Sequence, residues 1–168
     1  MTDAAAGTAP LAPPGYRPCV GILLAAAAGR VLLGRRIDRA EGEGPAWQMP
    51  QGGIDGGETA AQAALRELAE ETGLPASLVR LEAVAPSPAT YDLPPEMRPA
   101  HWRGRWRGQA VTWVLLRFLG RDEDIDLATA HPEFAAWRWA TLAEARDLVL
   151  PLKRPAYDAA LAAFGPAP

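Results

Sequence analysis

Three glutamates lie at a spacing that suits metal chemistry. Glu67, Glu70 and Glu71 are related as i, i+3 and i+4, so on a helix their carboxylates are neighbours. Two like charges about 4 Å apart repel by roughly 1 kcal/mol in water and by about 4 kcal/mol at an effective dielectric constant near 20. A hard divalent cation such as Mg²⁺ or Mn²⁺ would offset that repulsion, because such ions prefer oxygen ligands. The alternative is a solvated acidic helix face that Arg66 partly neutralises.

The surrounding residues predict the helix that positions these carboxylates. Thr59 is followed three residues later by Gln62, a capping box that starts a helix, and Gly73 followed by Pro75 ends it. A glycine-rich loop over residues 52–57 leads into the helix. The side chains expected to face the core recur at helical spacing, and they are Ala61, Ala64, Leu65, Leu68 and Thr72.

The fixed positions of this loop and helix follow a known pattern. Gly52 is followed after five residues by Glu58, and after seven more by Arg66-Glu67-Leu68, then by Glu70-Glu71 and Gly73-Leu74. This is the pattern of the Nudix box, which is far more specific than a lone glycine motif. The chain therefore resembles a Nudix hydrolase, a family that cleaves nucleoside diphosphates linked to another moiety. The resemblance implies an enzyme that acts on acid anhydrides in phosphorus-containing substrates.

The resemblance also implies a role for each residue of the box. Arg66 is expected to orient the glutamates, while Glu58 holds Arg66 and the loop in place and Gly73 supports the end of the helix. The expected ligands of Mg²⁺, or of Mn²⁺, are the carboxylates of Glu67, Glu70 and Glu71 and a backbone carbonyl near Gln51 or Gly52.

Four further segments resemble one branch of that family. They are Tyr16-Arg17-Pro18, residues 47–54, Pro132-Glu133-Phe134 and Lys153-Arg154, and they occur together in bacterial RNA pyrophosphohydrolases, also described as (di)nucleoside polyphosphate hydrolases. The similarity extends over residues 15–164. It implies removal of pyrophosphate from the 5′-triphosphate end of RNA, which leaves a 5′-monophosphate.

Two other functions remain open from the sequence. One is hydrolysis of a dinucleoside polyphosphate such as diadenosine tetraphosphate. The other is a non-catalytic nucleotide sensor, which would be expected to have lost box glutamates, and none is missing here.

Residues outside the box are expected to complete the site. The resemblance makes Glu133 either a metal ligand or the acceptor of the proton of the attacking water, and the identity of the general base stays open. Contacts with the substrate's phosphates and base are expected from Arg17, Arg35, Arg36, Trp47, Gln48 and Lys153. The alternatives are a role in surface solubility for Arg35 and Arg36 and a core position for Trp47.

Three other segments bear on the substrate. Residues 101–107 interleave basic and aromatic side chains, which suits single-stranded nucleic acid or, alternatively, a solvated loop that covers the sheet. The loop over residues 37–46 is longer than in some members of the branch. Leu152 stands where some relatives have an aromatic residue. The last two differences concern substrate preference.

The rest of the chain predicts an α/β fold. Strands are expected at residues 19–26, 30–36, 47–49, 78–85, 109–119 and 134–140, and two late helices should begin near Thr141 and Pro155. The strand at 109–119 is apolar on both faces, so it needs a layer above and below it. We therefore expect a mixed β-sheet between α-helices, which is the type of the Nudix fold. Residues 1–14 are expected to be a disordered lead-in and residues 15–168 a single domain.

Composition restricts the environment and the partners. A net charge of −3 gives no overall field that favours nucleic acid. The single cysteine, Cys19, excludes an intramolecular disulfide and fits a reducing compartment. We find no secretory signal and no apolar run long enough for a membrane span. The sequence predicts a cytoplasmic protein whose partner is an RNA 5′ end or a dinucleoside polyphosphate, with no membrane and no obligate protein partner.

Overall fold

The computed structural model describes residues 12–39, 42 and 44–165. Residues 1–11 of the predicted lead-in, and residues 40, 41 and 43 of the loop over 37–46, lie outside these ranges. Within the described part of the chain, each helix is too short or too polar to cross a lipid bilayer.

A mixed sheet of eight strands forms the centre of the described structure. The strands are β1 (Tyr16–Ala25), β2 (Arg30–Arg36), β3 (Trp47–Gln48), β4 (Gln51–Gly53), β5 (Val79–Val84), β6 (Ala89–Asp92), β7 (Gly108–Phe118) and β8 (Phe134–Thr141). The helices are α1 (Ala60–Thr72), α2 (Leu142–Leu148) and α3 (Arg154–Phe164). β1 and β7 run parallel to each other, and the other strand pairs are antiparallel.

Helices cover both faces of this sheet. On one face Leu23 of β1 and Trp113 of β7 pack with Tyr157 of α3. On the other face Ile22 of β1 and Val114 of β7 pack with buried residues of α1. Successive side chains of a strand point to opposite faces, so β1 and β7 are buried on both. The predicted arrangement of a mixed sheet between helices is confirmed.

Helix α1 begins and ends where the sequence predicts. The Thr59 hydroxyl accepts a hydrogen bond from the Gln62 backbone N–H at 3.1 Å, and the Gln62 side chain accepts one from the Thr59 N–H at 2.9 Å. Gly73 closes the helix with φ of 70°, a left-handed conformation that suits glycine. The remaining predicted strands and helices are present, with ends within three residues of the prediction.

The buried face of α1 is rotated relative to the prediction. Ala64, Leu68 and Thr72 are buried as expected, but Ala61 and Leu65 are only half-buried. Ala60, Ala63 and Glu71 are buried in addition. The helix packs against β4 as well as β1, and the contact with β4 covers the side that the sequence pattern left open.

Two strands were not predicted. Residues 51–53 read as loop but form β4, where Gly52 lies opposite Val20 of β1. Residues 89–92 fall in a stretch read as a proline-rich loop but form β6, which pairs with β7. Both strands are short, and they form because they pair with strands that are distant in sequence. Local strand propensity does not reveal such a pairing. Both border the site described next.

Candidate metal and polyphosphate site

A cavity of about 510 Å³ lies between α1, β4 and the segment that joins β6 to β7. One part of its lining is acidic and consists of Glu67, Glu70 and Glu133. A second part is basic and consists of Arg17, Arg36 and Lys153. A third part is largely uncharged and consists of Leu93, Met97, Pro99, His101 and Trp102. The cavity therefore exposes carboxylates and cations to the same space.

Strand pairing brings Glu133 to the glutamates of α1. The backbone N–H of Ile37 donates to the Glu133 carbonyl at 2.9 Å, and Phe134 lies opposite Arg36 in the pairing of β2 with β8. Glu133 is thus fixed at the end of β2, where its exposed side chain lines the cavity. Among the described residues, its side chain makes no hydrogen bond or ion pair.

Arg66 joins the box loop to the acidic wall. Its Nε and Nη2 donate to the two carboxylate oxygens of Glu58 at 2.7 and 2.9 Å, and Nη2 also donates to the Gly53 carbonyl at 2.8 Å. Its Nη1 donates to Glu67 Oε1 at 2.8 Å and lies 3.5 Å from Glu70 Oε2. These hydrogen bonds lower the pKa of Glu58 to about 2. This geometry is what the predicted roles of Arg66 and Glu58 require.

Gly52 leaves room for the Glu67 carboxylate. A Cβ built on Gly52 would lie 2.0 Å from the carboxylate carbon of Glu67 and 2.2 and 2.3 Å from its oxygens. Only a residue without a side chain allows this approach. Gly52 therefore determines the position that the Glu67 carboxylate can occupy.

Glu71 is the most unusual carboxylate of the described chain. It is buried, and its Oε2 has no hydrogen-bond partner. Burial raises its pKa well above the ordinary value, and the charges of Glu133 and Glu67 raise it further. Burial is also the main cause of the raised pKa of Glu67. A buried acceptor without a partner, next to other carboxylates, fits a bound cation.

The carboxylates do not form a compact ligand cluster in this structure. Within the described ranges, no three His, Cys, Asp or Glu side chains converge closely enough to hold a metal ion. Glu67 and Glu70 instead face the guanidinium of Arg66. The residue types fit a divalent ion, and side-chain rotations would have to bring them together around it.

The basic wall is built from three separate parts of the chain. Arg17 lies over the box loop, since a Cβ on Gly53 would approach its Nη2 to 2.3 Å. Arg36 pairs with Asp38 at 2.5 Å. Lys153 is added by the turn before α3. All three are predicted phosphate contacts that line the cavity.

Lys153 is buried and has few partners. Its Nζ donates to Gln48 Oε1 at 3.2 Å and lies 5.8 Å from the centroid of the Tyr91 ring. Burial, followed by the charge of Arg36, lowers its pKa to about 8. Lysine in this position can gain or lose its proton near neutral pH.

Two predicted substrate contacts do not line the cavity. Arg35 donates to the Arg39 carbonyl at 2.9 Å. Trp47 packs against the hydrophobic core, with Arg138 over its ring at 5.4 Å. Successive side chains of a strand alternate in direction, so Arg36 and Gln48 reach the cavity and their sequence neighbours do not. For Trp47, the alternative of a core position is the one observed.

Three polar side chains of the cavity were not predicted from the sequence. Gln51 Nε2 donates to Gln109 Oε1 at 3.0 Å and to the Tyr91 hydroxyl at 3.2 Å, and that hydroxyl donates to Gln109 Oε1. All three line the cavity. For Tyr91, the one local signal was that threonine followed by tyrosine favours a strand. The surrounding stretch is rich in proline, which favours a loop.

Comparison with known proteins decides the family. Residues 15–164 match the model of the NUDIX domain. The chain belongs to the Nudix family. The fold and family predicted from the box are confirmed, and Nudix hydrolases generally use divalent metal ions.

Several curated proteins are similar to this Nudix chain along most of its length. It is 52% identical over 149 residues to the RNA pyrophosphohydrolase of Dinoroseobacter shibae, which covers 89% of this chain and 91% of the relative. It is 50% identical over 158 residues to the RNA pyrophosphohydrolase of Novosphingobium aromaticivorans, which covers 94% and 93% respectively. Among solved structures, the E. coli dihydroneopterin triphosphate pyrophosphohydrolase is similar with a TM-score of 0.62 and 24% identity, covering 85% of this chain and 94% of that one. At that identity, the likeness concerns the fold alone.

Proposed function

We propose that this Nudix chain is an RNA pyrophosphohydrolase, which removes pyrophosphate from the 5′-triphosphate end of RNA and leaves a 5′-monophosphate. The observation that carries the proposal is the cavity in which carboxylates face Arg17, Arg36 and Lys153. Hydrolysis of a polyphosphate requires both carboxylates and cationic side chains, because cations bind its oxygens and divalent ions held by carboxylates neutralise its charge. Identity of about 50% to proteins named RNA pyrophosphohydrolase supports RNA as the substrate.

The metal of this site is Mg²⁺, with Mn²⁺ as a substitute. An all-oxygen donor set suits a hard ion of this kind, and the unpartnered Oε2 of Glu71 fits a cation. When bound, the ion supplies charge neutralisation at phosphate oxygens and makes water a better nucleophile. The ligands would be the carboxylates of Glu67, Glu70 and Glu71 and the backbone carbonyl of Gly52.

The protein's own residues bind the substrate and move one proton. Arg17, Arg36 and Lys153 hold phosphate oxygens, while Arg66 keeps Glu67 in place. A water oxygen attacks phosphorus, the phosphoanhydride P–O bond breaks, and pyrophosphate leaves. The exposed carboxylate of Glu133 accepts the proton of that water. Glu133 lines the cavity, and no described side chain forms a hydrogen bond or an ion pair with its carboxylate. A cytoplasmic location follows from the proposal, since transcripts with 5′-triphosphate ends are made inside the cell.

A two-substrate comparison tests this function. At equal Mg²⁺ concentration, we expect a higher kcat/KM for pyrophosphate release from triphosphorylated RNA than for cleavage of diadenosine tetraphosphate. Glu70→Gln should lose the activity on both substrates and keep the wild-type melting temperature. A large preference for the dinucleotide would instead support a dinucleoside polyphosphate hydrolase. Nucleotide binding without any phosphate product, with Mg²⁺ or with Mn²⁺, would indicate a sensor.

A further inference from the structure

The segment that joins β6 to β7 concentrates positive charge beside the cavity. Residues 97–108, which follow Glu96 in this segment and end at the first residue of β7, we call the arginine loop; they contain Arg98, Arg103, Arg105 and Arg107 and no acidic residue, although the whole chain has a net charge of −3. The first part of the loop, residues 97–102, contributes to the cavity lining. The second part turns away from it and is exposed at Arg103, Arg105 and Arg107. The exposed arginines therefore directly follow, in the chain, the residues that line the cavity.

The arginine loop is held in place by the fold. Trp102 is buried and meets the Trp106 ring edge-on, with the centroids 5.7 Å apart. The backbone of Arg107 accepts a hydrogen bond from the Leu93 N–H at 2.9 Å and donates one to the Gly15 carbonyl at 2.8 Å. A surface that is already ordered loses little conformational entropy when a ligand binds. The arginine loop is thus ordered before any ligand binds.

Two of its three exposed guanidinium groups are not neutralised. Among the described residues, no acidic side chain forms a salt bridge with Arg103 or Arg105, whereas Arg107 pairs with Asp92 at 2.6 Å. Arg105 lies over the Trp106 ring at 4.6 Å from its centroid, a cation–π contact that orders its side chain. Arg103 and Arg105 are therefore available to bind an anion.

The backbone at Arg103 supports a functional role for its charge. Its φ of 50° lies in the left-handed region, which glycine adopts easily and other residues adopt at some cost. The neighbouring Gly104 is also left-handed, with φ of 72°. An arginine kept at a position that favours glycine points to a function for the guanidinium.

We propose that the arginine loop binds the RNA chain beyond its 5′ end through the exposed guanidinium groups of Arg103 and Arg105. This inference rests on the proposed function, because the cavity takes the triphosphate and the rest of the RNA has to leave past one of its walls. Single-stranded RNA combines repeated phosphates with bases that stack on aromatic rings. The exposed guanidinium groups of Arg103 and Arg105 match both features, because a guanidinium binds phosphate and its plane can also stack on a base. The loop then distinguishes RNA from dinucleotide substrates.

Substrate length is the variable that tests the inference. We compare kcat/KM for a triphosphorylated dinucleotide with that for a triphosphorylated RNA of about twelve nucleotides, a length within the usual range for one single-strand site. The wild type should favour the longer RNA by about tenfold. The double variant Arg103→Gly/Arg105→Gln should lose that advantage and retain its rate on the dinucleotide. Glycine at position 103 suits the backbone, so the loop keeps its shape.

A binding measurement and a matched control complete the test. For the twelve-nucleotide 5′-monophosphate product, the slope of log affinity against log salt should fall by about 0.7 for each phosphate that the double variant no longer binds. The control is Arg80→Gln, which removes an exposed arginine at the other end of β7, because Arg80 lies opposite Arg117 while the loop ends at Gly108. This control should behave as wild type on both RNAs and in the salt titration.

The outcomes separate the two claims. Equal kcat/KM for both lengths in the wild type, or an equal loss on both in the double variant, would overturn the role of the arginine loop and leave the proposed function standing. The same loss in Arg80→Gln as in the double variant would overturn it as well, since the effect would then be one of overall charge. If the wild type cleaved diadenosine tetraphosphate but released no pyrophosphate from either RNA, the proposed function would fall and this inference with it.

Discussion

Replacing Gly52 by alanine is expected to remove most of the hydrolytic activity at a small cost in stability. The new Cβ would lie 2.0 Å from the Glu67 carboxylate carbon, and an ordinary van der Waals contact begins near 3.4 Å, so the carboxylate must withdraw by about 1.4 Å. A misplacement of about 1 Å at a reacting centre can cost about 100-fold in rate. We therefore expect kcat/KM for pyrophosphate release from triphosphorylated RNA to fall by about 100-fold or more.

The stability of the same variant should change little. The three atoms nearest to the new Cβ belong to the end of the flexible Glu67 side chain, and Gly52 is not among the residues with positive φ. The main loss is the Glu67 hydrogen bond to Arg66, because Arg66 keeps its bonds to Glu58. A loss of about 1 kcal/mol corresponds to about 2–4 °C in Tm for a chain of this size. Thermal unfolding measured beside the kinetics separates a displaced carboxylate from an unfolded protein.

A neighbouring glycine provides the control. Gly56 lies in the same loop, yet a Cβ built on it meets nothing within 4 Å, so Gly56→Ala should keep both the activity and the Tm of the wild type. Wild-type kcat/KM in Gly52→Ala would refute the placement of Glu67 or its role. A similar loss of activity in both alanine variants would refute the steric argument.

Three further predictions concern other contacts. Arg66 holds the folded-state pKa of Glu58 at about 2, below its ordinary 4.5, so this carboxylate contributes stability above pH 4.5 that is lost as the pH falls through 2. In urea titrations Glu58→Gln should lower the free energy of unfolding by about 1–3 kcal/mol at pH 7 and by less than half as much near pH 2.5, and a constant difference would contradict the pairing. The pKa of Lys153 near 8 means that its charge is present below pH 8 and absent above it. KM for triphosphorylated RNA should therefore rise above pH 8, and Lys153→Arg should abolish that rise, whereas equal profiles would exclude Lys153 as the phosphate contact. Trp47→Phe should change KM by less than about twofold, because Trp47 lies outside the cavity, and a tenfold rise would indicate that it stacks on a base after all.

The sequence by itself determined the helix of the box and the family. The start of α1 depends on Thr59 and Gln62 and its end on Gly73, residues that act within a few positions of each end. The box is a set of fixed spacings along one loop and one helix, so it can be recognised without any tertiary contact. The two apolar faces of β7 likewise predicted the layers on both sides of the sheet.

Tertiary structure decided which residues share the cavity. Glu133 reaches it through the pairing of β8 with β2, and strand alternation sends Arg36 and Gln48 into it rather than the residues beside them. Glu71 lies on the helix that packs against β4 and is buried in the folded protein, where its Oε2 has no hydrogen-bond partner. These outcomes depend on the register between strands far apart in sequence, where a shift of one residue reverses every side chain. No pattern along the chain carries that register.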